Sequence, residues 1–578
     1  MNCSLNVFGE QFFLFTNSST MNKKIIIYQV LPRLYGNKVA NPVPYGSIER
    51  NGCGKFVDFT SARLKKIRDL GVTHVWFTGI LEHATTTDYT AYGIKKDCES
   101  IVKGNAGSPY AVKDYYDVDP DLAVNVPQRM EEFEALLART HRAGMKVVID
   151  FVPNHVARTY NSDAAPKGVE DFGASDDKTQ SFNPDNNFYY IPNEPFRCPV
   201  QGREEYEEFP ARATGNDKFS ASPDACDWYE TVKLNYGVDY QNGGKTYFNP
   251  VPDTWKKMFD ILDYWSAKGV DAFRCDMAEM VPVEFWQWVI GKIKAKYPSV
   301  LFIAEIYNPY RYNDYVNIGG FDYLYDKVGL YNTIREVVCG RRPASDITYC
   351  WQSAGNLQSN MLGFIENHDE QRVASEFYAG NPLKGRAPMI TTALMNVNPV
   401  MIYAGQEYGE PGMDCEGFSS RDGRTTIYDY WSPALMRKVL FEPESLTPVE
   451  VSLHDFYGKL LNIAKKEKAV SEGLFFDLTY CNFDRYEEYP SDKVYSFLRK
   501  SKKSLLLVVS NFAERDFRLQ VNIPGHAFEY MSITPGEYEC HDLLGECEAF
   551  RRILSPDKTI QVDVPALSGV VLELTKTN

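Results

Sequence analysis

The feature that most constrains this chain is a regular alternation of short apolar runs with amphipathic helical segments, from residue 25 to about residue 445. Apolar strands separated by helices are typical of a parallel sheet that is buried on both faces. Eight such units predict an α/β fold in which the strands close into a (β/α)8 TIM barrel. The predicted strands are residues 25–30, 74–77, 146–151, 272–274, 301–304, 321–325, 361–365 and 399–403.

Two segments interrupt this alternation. Residues 156–250 are rich in Asp, Asn, Pro, Gly and Tyr and contain no strand–helix pair, so they are too long for an ordinary loop and indicate an inserted subdomain. After about residue 470, strand-like runs separated by Pro-Gly turns predict a C-terminal antiparallel β-sandwich domain. The predicted parts are an N-terminal extension (1–20), the first part of the barrel (21–155), the insertion (156–250), the second part of the barrel (251–468) and the β-domain (469–578).

The composition argues against several kinds of partner. The formal charge is −15 and no block of Lys or Arg stands out, which disfavours nucleic acids and anionic membranes. No apolar run approaches the roughly 18 residues of a membrane span. The first twenty residues lack the basic start of a secretory signal, and twelve scattered cysteines without a CxxC pair are typical of thiols in a reducing compartment, although disulfides stay open. We therefore expect a cytoplasmic protein with no nucleic-acid or membrane partner.

The polar residues that follow the strands suggest where the chemistry lies. In barrel enzymes the reacting groups stand at the carboxyl ends of the strands. Four predicted strand ends carry such groups: Asp150, Asn154 and His155 at the third, Arg274 and Asp276 at the fourth, Glu305 at the fifth, and His368 and Asp369 at the seventh. Any one of these acids taken singly is more often a turn or helix-capping residue, so the argument depends on the ordered set.

Carboxylates that converge in one pocket repel one another, so at least one pKa rises. One group then serves as an acid while another stays ionised, which is what glycoside hydrolysis requires. Arg274 precedes Asp276 by two residues and projects to the same side of the strand, where its charge favours an ionised, nucleophilic Asp276. Asp150 is interpreted as structural, holding a neighbouring loop or Arg274. His155 and His368 are expected to donate hydrogen bonds to sugar hydroxyls.

The four segments DFVPNH, DAFRCD, AEIY and FIENHD resemble, in order, the four short conserved regions of the α-amylase family, glycoside hydrolase family thirteen. The inserted subdomain matches that family's domain B, and the β-domain matches its domain C. The resemblance implies a nucleophile, an acid/base and a transition-state stabiliser at Asp276, Glu305 and Asp369. It places Arg274, His155 and His368 around the sugar in the cleavage subsite, with Tyr110 of SPYAVKDY stacked beneath it.

Two features of the resemblance concern a bound metal ion and the acceptor side of the substrate site. Asn154 matches the family's domain-B calcium ligand, and Met280 offers a carbonyl, so the resemblance implies calcium with Asn154 as a ligand and no organic cofactor. Domain B adds hard oxygen donors at Asp171, Asp176 and Asp177.

Many family members carry Lys-His after the nucleophile where this chain has Glu279-Met280. That difference removes a cationic contact on the acceptor side and puts a long-chain endo preference in doubt.

The segment TVKLN at residues 231–235 resembles the family's fifth motif, closest to the neopullulanase and cyclomaltodextrinase type; otherwise it is an ordinary domain-B strand. The resemblance implies a retaining glycoside hydrolase that cleaves α-1,4-glucosidic bonds in maltodextrins and other α-glucans by double displacement. Transglycosylation and sucrose- or trehalose-type isomerisation use the same three carboxylates and remain alternatives. Related non-catalytic partners of transporters lack those carboxylates. The choice between α-1,4 and α-1,6 bonds, endo or exo action and the oligomeric state stay open.

Overall fold

The computed structural model describes residues 24–200, 204–413, 415–483, 485, 487–556 and 558–577. Within them eight parallel strands form one sheet, which confirms the predicted fold class. The predicted N-terminal extension, residues 1–20, lies outside the described residues. The barrel strands are β1 (Ile26–Val30), β2 (His74–Phe77), β3 (Lys146–Phe151), β4 (Ala272–Cys275), β5 (Leu301–Ala304), β6 (Tyr323–Tyr325), β7 (Met361–Leu362) and β8 (Val400–Tyr403).

The strands pair in chain order, and β1 also pairs with β8. A parallel bridge between Gly363 and Val400 joins β7 to β8 and closes the ring. Glycine is required there because a Cβ at Gly363 would lie 2.8 Å from the side chain of Thr392 on the following helix. The barrel interior is filled by apolar side chains such as Ile27, Trp76 and Val148, so it is a packed core.

Helices cover the outside of the barrel. The longer ones bury one apolar face at helical spacing; the fourth, for example, buries Trp255, Met258 and Trp265. None of the described helices is long and apolar enough to cross a membrane. The helices of the described residues are α1 (Ile48–Asn51), α2 (Ser61–Asp69), α3 (Arg129–Arg142), α4 (Asp253–Ala267), α5 (Val283–Lys296), α6 (Tyr312–Asn317), α7 (Asn332–Val338), α8 (Ile347–Ala354), α9 (Arg386–Leu394), α10 (Ala434–Phe441), α11 (Pro448–Lys466), α12 (Lys468–Ser471) and α13 (Gly525–Met531).

Two insertions stand at the carboxyl ends of the barrel strands. The first follows β2 and contains the antiparallel pair Leu81–His83 and Val112–Val118. The second follows β3 and reaches α4, and most of it consists of turns and irregular chain. Its short antiparallel pairs are His155–Ala157 with Thr231–Lys233, Tyr190–Ile191 with Ala211–Arg212, and Val238–Asp239 with Lys245–Thr246. The limits predicted for domain B, residues 156–250, stay a prediction.

The C-terminal part is an antiparallel β-domain, as predicted. Its strands are β9 (Leu474–Asp477), β10 (Val494–Lys500), β11 (Leu505–Asn511), β12 (Phe517–Val521), β13 (Gly536–Asp542), β14 (Phe550–Leu554), β15 (Ile560–Val564) and β16 (Ser568–Lys576). A six-stranded sheet has the order β9-β10-β11-β16-β13-β14 and faces the pair β12 and β15 across an apolar core. The domain packs on α9, where Thr391 donates a hydrogen bond to Ser510 at 2.9 Å.

Candidate active site

The centre of the candidate site is the guanidinium group of Arg274, which is 1% exposed. Its Nη1 donates to Asp276 Oδ1 at 2.7 Å, and its Nη2 lies 2.8 Å from Glu305 Oε2. Two further carboxylates stand slightly farther away, Asp150 at 3.8 Å and Asp369 at 3.9 Å. The structure therefore brings the three acids expected to be catalytic to one cation.

The barrel ladder positions Asp276 and Glu305. The backbone N–H of Asp276 donates to Phe151 O at 2.9 Å, and that of Glu305 donates to Cys275 O at 3.1 Å, so each acid continues its strand by one residue. The next residue, Met277, has a left-handed φ of 42° and donates its N–H to Glu305 Oε2 at 2.9 Å. A non-glycine residue in this region is strained and is found most often at functional sites. The sharp turn aims both carboxylates into the barrel mouth.

The carboxylates share more negative charge than Arg274 neutralises. Burial, together with the charge of Glu305, raises the pKa of Asp276 well above its usual range, against the opposing effect of Arg274. Asp369 lies deep in the pocket although 36% of its side chain is exposed, and burial together with Glu305 raises its pKa to about 7. A proton is therefore shared by the group up to neutral pH, and it belongs to the cluster rather than to a single residue.

His368 and Tyr110 line the same pocket. The Oη of Tyr110 is 2.5 Å from Nε2 of His368, and the two rings stack with centroids 5.4 Å apart. His368 Nε2 is also 3.1 Å from Asp369 Oδ2, while Nδ1 is 2.6 Å from Nε2 of Gln29. Burial and the nearby Arg274 lower the pKa of His368 well below its usual value, so the ring is neutral. A neutral ring here is suited to hydrogen bonding with a sugar hydroxyl.

His155 is likewise buried and neutral, because burial lowers its pKa to about 3. Its Nδ1 is 3.1 Å from Nδ2 of Asn154, and its ring lies 5.2 Å from that of Trp228 in domain B. The structure therefore places His155 where the barrel meets domain B.

The residues around Asn154 do not fit the calcium ion that the resemblance implies. The ammonium group of Lys233 donates to Asn154 Oδ1 and to Met280 O, the second at 3.3 Å. The same ammonium pairs with Asp217 at 2.7 Å. A lysine charge thus occupies the oxygens expected to bind a metal, and a second cation there would be repelled. In this structure the side-chain oxygen of Asn154 is the hydrogen-bond acceptor of Lys233, and its role as a calcium ligand stays a prediction.

The other domain-B acids expected to donate to calcium have partners of their own. Asp176 accepts from the backbone N–H groups of Asn187 and Phe188 and from the hydroxyl of Tyr190. Asp177 accepts from residues 179 and 180, and Asp171 accepts from the N–H of Ser162 at 3.2 Å. These contacts order the turns of domain B.

Asp150 has the structural contacts that the sequence suggested. Its Oδ2 accepts from Trp76 Nε1 at 3.2 Å and from the N–H of Gly79 at 2.9 Å, which fixes the chain that leaves β2. Its Oδ1 faces Arg274 and Tyr110. Burial raises the pKa of Asp150 to about 6.

Sequence reasoning missed four polar contacts of the pocket. Tyr325, at the end of β6, accepts from Arg274 Nε at 3.1 Å, and Tyr307 donates to Glu305 Oε1 at 2.5 Å. Gln29 on β1 and Trp76 on β2 contact His368. Gln29, Trp76 and Tyr325 stand near the carboxyl ends of their strands, so the rule that selected the acids would also have found them. Tyr307 follows Glu305 by two residues.

Glu279 has a defined role in place of the missing acceptor-side lysine. Its two carboxylate oxygens accept from the backbone N–H groups of Tyr307 and Asn308, each at 3.1 Å. It thereby holds the loop after β5 against the turn after β4. That loop carries Tyr310, whose ring is 94% exposed.

Two family models match this chain, one in its N-terminal part and one near its C-terminus. Residues 47–305 match the family model described as alpha amylase, catalytic domain. Residues 488–575 match the model described as alpha amylase, C-terminal all-beta domain.

Individual proteins resemble the chain at low identity over most of its length. "Alpha-amylase 2" of Dictyoglomus thermophilum is 22% identical over 509 residues, which cover 87% of this chain and 71% of that protein. "Neopullulanase 2" of Thermoactinomyces vulgaris is 22% identical over 410 residues, 68% of this chain and 57% of that protein. The crystal structure of an α-amylase from Geobacillus thermoleovorans complexed with acarbose aligns with a TM-score of 0.63 and 16% identity, covering 97% of this chain and 100% of that one.

Proposed function

This chain belongs to the α-amylase family of glycoside hydrolases, and we propose that it cleaves α-1,4-glucosidic bonds of maltodextrins by double displacement with retention of configuration. In this proposal Asp276 is the nucleophile, Glu305 is the acid/base and Asp369 stabilises the transition state. The observation that carries it is the contact of Asp276 and Glu305 with the two terminal nitrogens of one guanidinium group.

The geometry favours retention over inversion. Carboxyl groups of retaining glycosidases lie about 5 Å apart, whereas those of inverting enzymes lie roughly 6.5–9.5 Å apart to admit a water molecule. Asp276 and Glu305 lie 2.7 and 2.8 Å from neighbouring nitrogens of one guanidinium group, an arrangement compatible with the shorter separation.

The first step forms a bond from a carboxylate oxygen of Asp276 to the anomeric carbon and breaks the glycosidic C–O bond. Glu305 gives its proton to the departing oxygen. In the second step Glu305 takes a proton from water, the water oxygen bonds to the anomeric carbon, and the ester to Asp276 breaks. Because Arg274 bonds Oδ1 of Asp276, the other oxygen is left for attack.

The remaining pocket residues are suited to holding one sugar ring. Tyr110 offers an aromatic face beside the neutral ring of His368, and His155 lies beside Trp228 on the domain-B side. Asp369 keeps 36% of its side chain exposed, so it is accessible to the substrate. Aromatic faces and uncharged donors are typical of carbohydrate sites.

The mouth favours short substrates because two insertions join to form one wall. Lys103 in the insertion after β2 pairs with Glu230 of domain B at 2.9 Å. Ile101 packs in an apolar cluster with Phe196 and Tyr229 of domain B. Ala106 donates its N–H to Tyr428 O, which connects the wall to the chain after β8. A walled pocket binds a few sugar units better than a polymer strand, and a product retained there competes with water for the intermediate.

The test is a time course on maltoheptaose, pullulan and insoluble starch, followed by chromatography. We expect maltoheptaose to be cleaved fastest, with transfer products visible at high substrate concentration. Polarimetry or NMR of the first product should show the α-anomer. Faster cleavage of starch by random internal cuts, without transfer products, would overturn the short-substrate proposal, and a β-anomeric product would overturn retention.

We also propose a cytoplasmic location. Ten of the described cysteines are free thiols, and two of them, Cys275 and Cys540, are buried. Unpaired thiols at this number are typical of proteins in a reducing compartment.

A further inference from the structure

We propose that Glu82, Asp117 and Asp163 form a binding site for one calcium ion at the base of the wall, away from the Asn154 position. One oxygen from each of the three carboxylates lies within 4.8 Å of the others. Calcium accepts carboxylate oxygens at about 2.3–2.6 Å in a flexible arrangement, whereas magnesium demands near-ideal octahedral geometry at about 2.1 Å. A set made of carboxylate oxygens selects a hard divalent cation over softer transition metals.

The observation that points to a ligand is the state of Glu82. Its side chain is 1% exposed, and neither of its oxygens has a hydrogen-bond partner among the described residues. Burying a carboxylate without a partner costs several kcal/mol, so such groups are paired or bind metals. A cation between the three acids would supply the partner that the protein itself does not provide.

The nearest lysine does not fill that role. Lys113 Nζ is 3.8 Å from Glu82 Oε1, beyond hydrogen-bond distance. The same ammonium donates to Lys95 O and pairs with Asp97 at 3.2 Å. Lys113 is therefore directed to Asp97 and leaves Glu82 facing the other acids.

The charges around the cluster do not balance. Arg129 bonds Oδ2 of Asp117 and lies 3.1 Å from Oδ2 of Asp163. With Asp97 and Asp114 included, five carboxylates face two cations, Arg129 and Lys113. A divalent cation bound among the carboxylates would neutralise most of this excess negative charge.

The site is accessible to an ion from solvent, and an ion bound there would have a structural role. The side chain of Asp163 is 17% exposed, which leaves room for an ion and its water ligands to enter. The N–H groups of Asp163 and Ala164 donate to Asp114 Oδ2 at 2.9 Å. The three acids come from the strand Leu81–His83, the strand Val112–Val118 and the chain after β3. A bound ion would hold both insertions together beneath the wall.

The experiment is calorimetric titration of calcium into the full-length protein after removal of metals with a chelator. We expect one ion per chain and a thermal midpoint that rises by several degrees with saturating calcium. Glu82→Gln should weaken binding at least tenfold and abolish the rise. Without metal, the Glu82→Gln protein should be at least as stable as wild type, because it lacks the unpartnered charge. Asp163→Asn, at a partly exposed position, is the second variant should Glu82→Gln not fold.

The control is Asp217→Asn, which alters the carboxylate beside Lys233 and should leave calcium binding unchanged. Absence of calcium binding by the wild-type protein would overturn the proposal. So would binding that survives in both Glu82→Gln and Asp163→Asn but is lost in Asp217→Asn. Tighter binding of magnesium than of calcium would overturn the choice of ion.

Discussion

Arg274 and Lys233 are two buried cations of opposite character, 1% and 2% exposed. Arg274 lies within 4 Å of four carboxylates, Asp150, Asp276, Glu305 and Asp369. Lys233 pairs with one carboxylate, Asp217, and donates to two neutral oxygens. The first centre has an excess of negative charge, and the second is balanced.

This difference distinguishes a buried cation at a reactive site from a buried cation with a structural role, although both contact carboxylates. An excess of carboxylates around one cation raises pKa values and keeps a proton available, which acid catalysis needs. In a balanced set the opposite charges neutralise one another, so the contribution of Lys233 and Asp217 is to hold domain B on the barrel. We therefore expect substitutions of the carboxylates around Arg274 to change the rate of catalysis. Substitution of Lys233 should instead change the free energy of unfolding.

The largest expected effect is at Asp276. Asp276→Asn removes the attacking oxygen's charge, so turnover of maltoheptaose should fall by at least about a thousandfold. The unfolding midpoint should stay unchanged or rise, since one of the mutually repelling charges is gone. Steady-state kinetics and thermal unfolding measure the two results.

Asp217→Asn is the matched control, because it makes the same chemical change at the balanced centre and should keep turnover within about tenfold. A folded Asp276→Asn protein that retains more than a tenth of the wild-type rate would contradict the nucleophile assignment.

The second effect depends on the leaving group. Glu305→Gln removes the proton donor, so cleavage of maltoheptaose should fall by about 10²–10⁴-fold while activated aryl glycosides lose much less. In the wild type, the rate should decline as pH rises through about 7, because burial together with Glu305 raises the pKa of Asp369 to about 7 and the cluster loses its shared proton above that pH. The decline should be absent in Asp369→Asn.

Asp369→Asn provides the contrast, because it leaves the donor in place and acts on the charge at the sugar ring. It should slow both kinds of substrate to a similar degree. Equal losses on both substrates for Glu305→Gln would argue against its acid role.

The smallest expected effect is at Lys233. Lys233→Met leaves Asn154 Oδ1 and Met280 O without their donor, which should lower the free energy of unfolding by about 2–4 kcal/mol. The rate per folded molecule should stay within about tenfold of the wild type. Urea unfolding and active-site-normalised kinetics provide the measurements.

Lys218→Met is the matched control. Lys218 pairs with Asp224 and Asp227 but is 42% exposed, so its loss should change stability by less than about 0.5 kcal/mol. Should Lys233→Met unfold no more easily than Lys218→Met, Lys233 would not be the structural cation described above.

Much of the barrel could be predicted because the hydrophobic pattern that indicates each strand is local in the sequence. The bounds of β2, β3 and β5 coincide with the predicted residues 74–77, 146–151 and 301–304. β7 was predicted to run to residue 365 but ends at Leu362. Beyond the bridge at Gly363 the chain leaves the sheet to carry the residues up to Asp369 into the pocket, and apolar character alone does not reveal that departure.

The sequence by itself determined the barrel, the order of its strand ends and the set of acids that meet there, because hydrophobic period and chain order are local properties. Only the tertiary structure decided how those charges are balanced. Lys233 reaches Asn154 across 79 positions of the chain, and Glu82 faces Asp163 across a comparable gap. Electrostatic and hydrogen-bond energies change within an ångström or two, and spacing along a chain does not specify such distances between side chains brought together by folding.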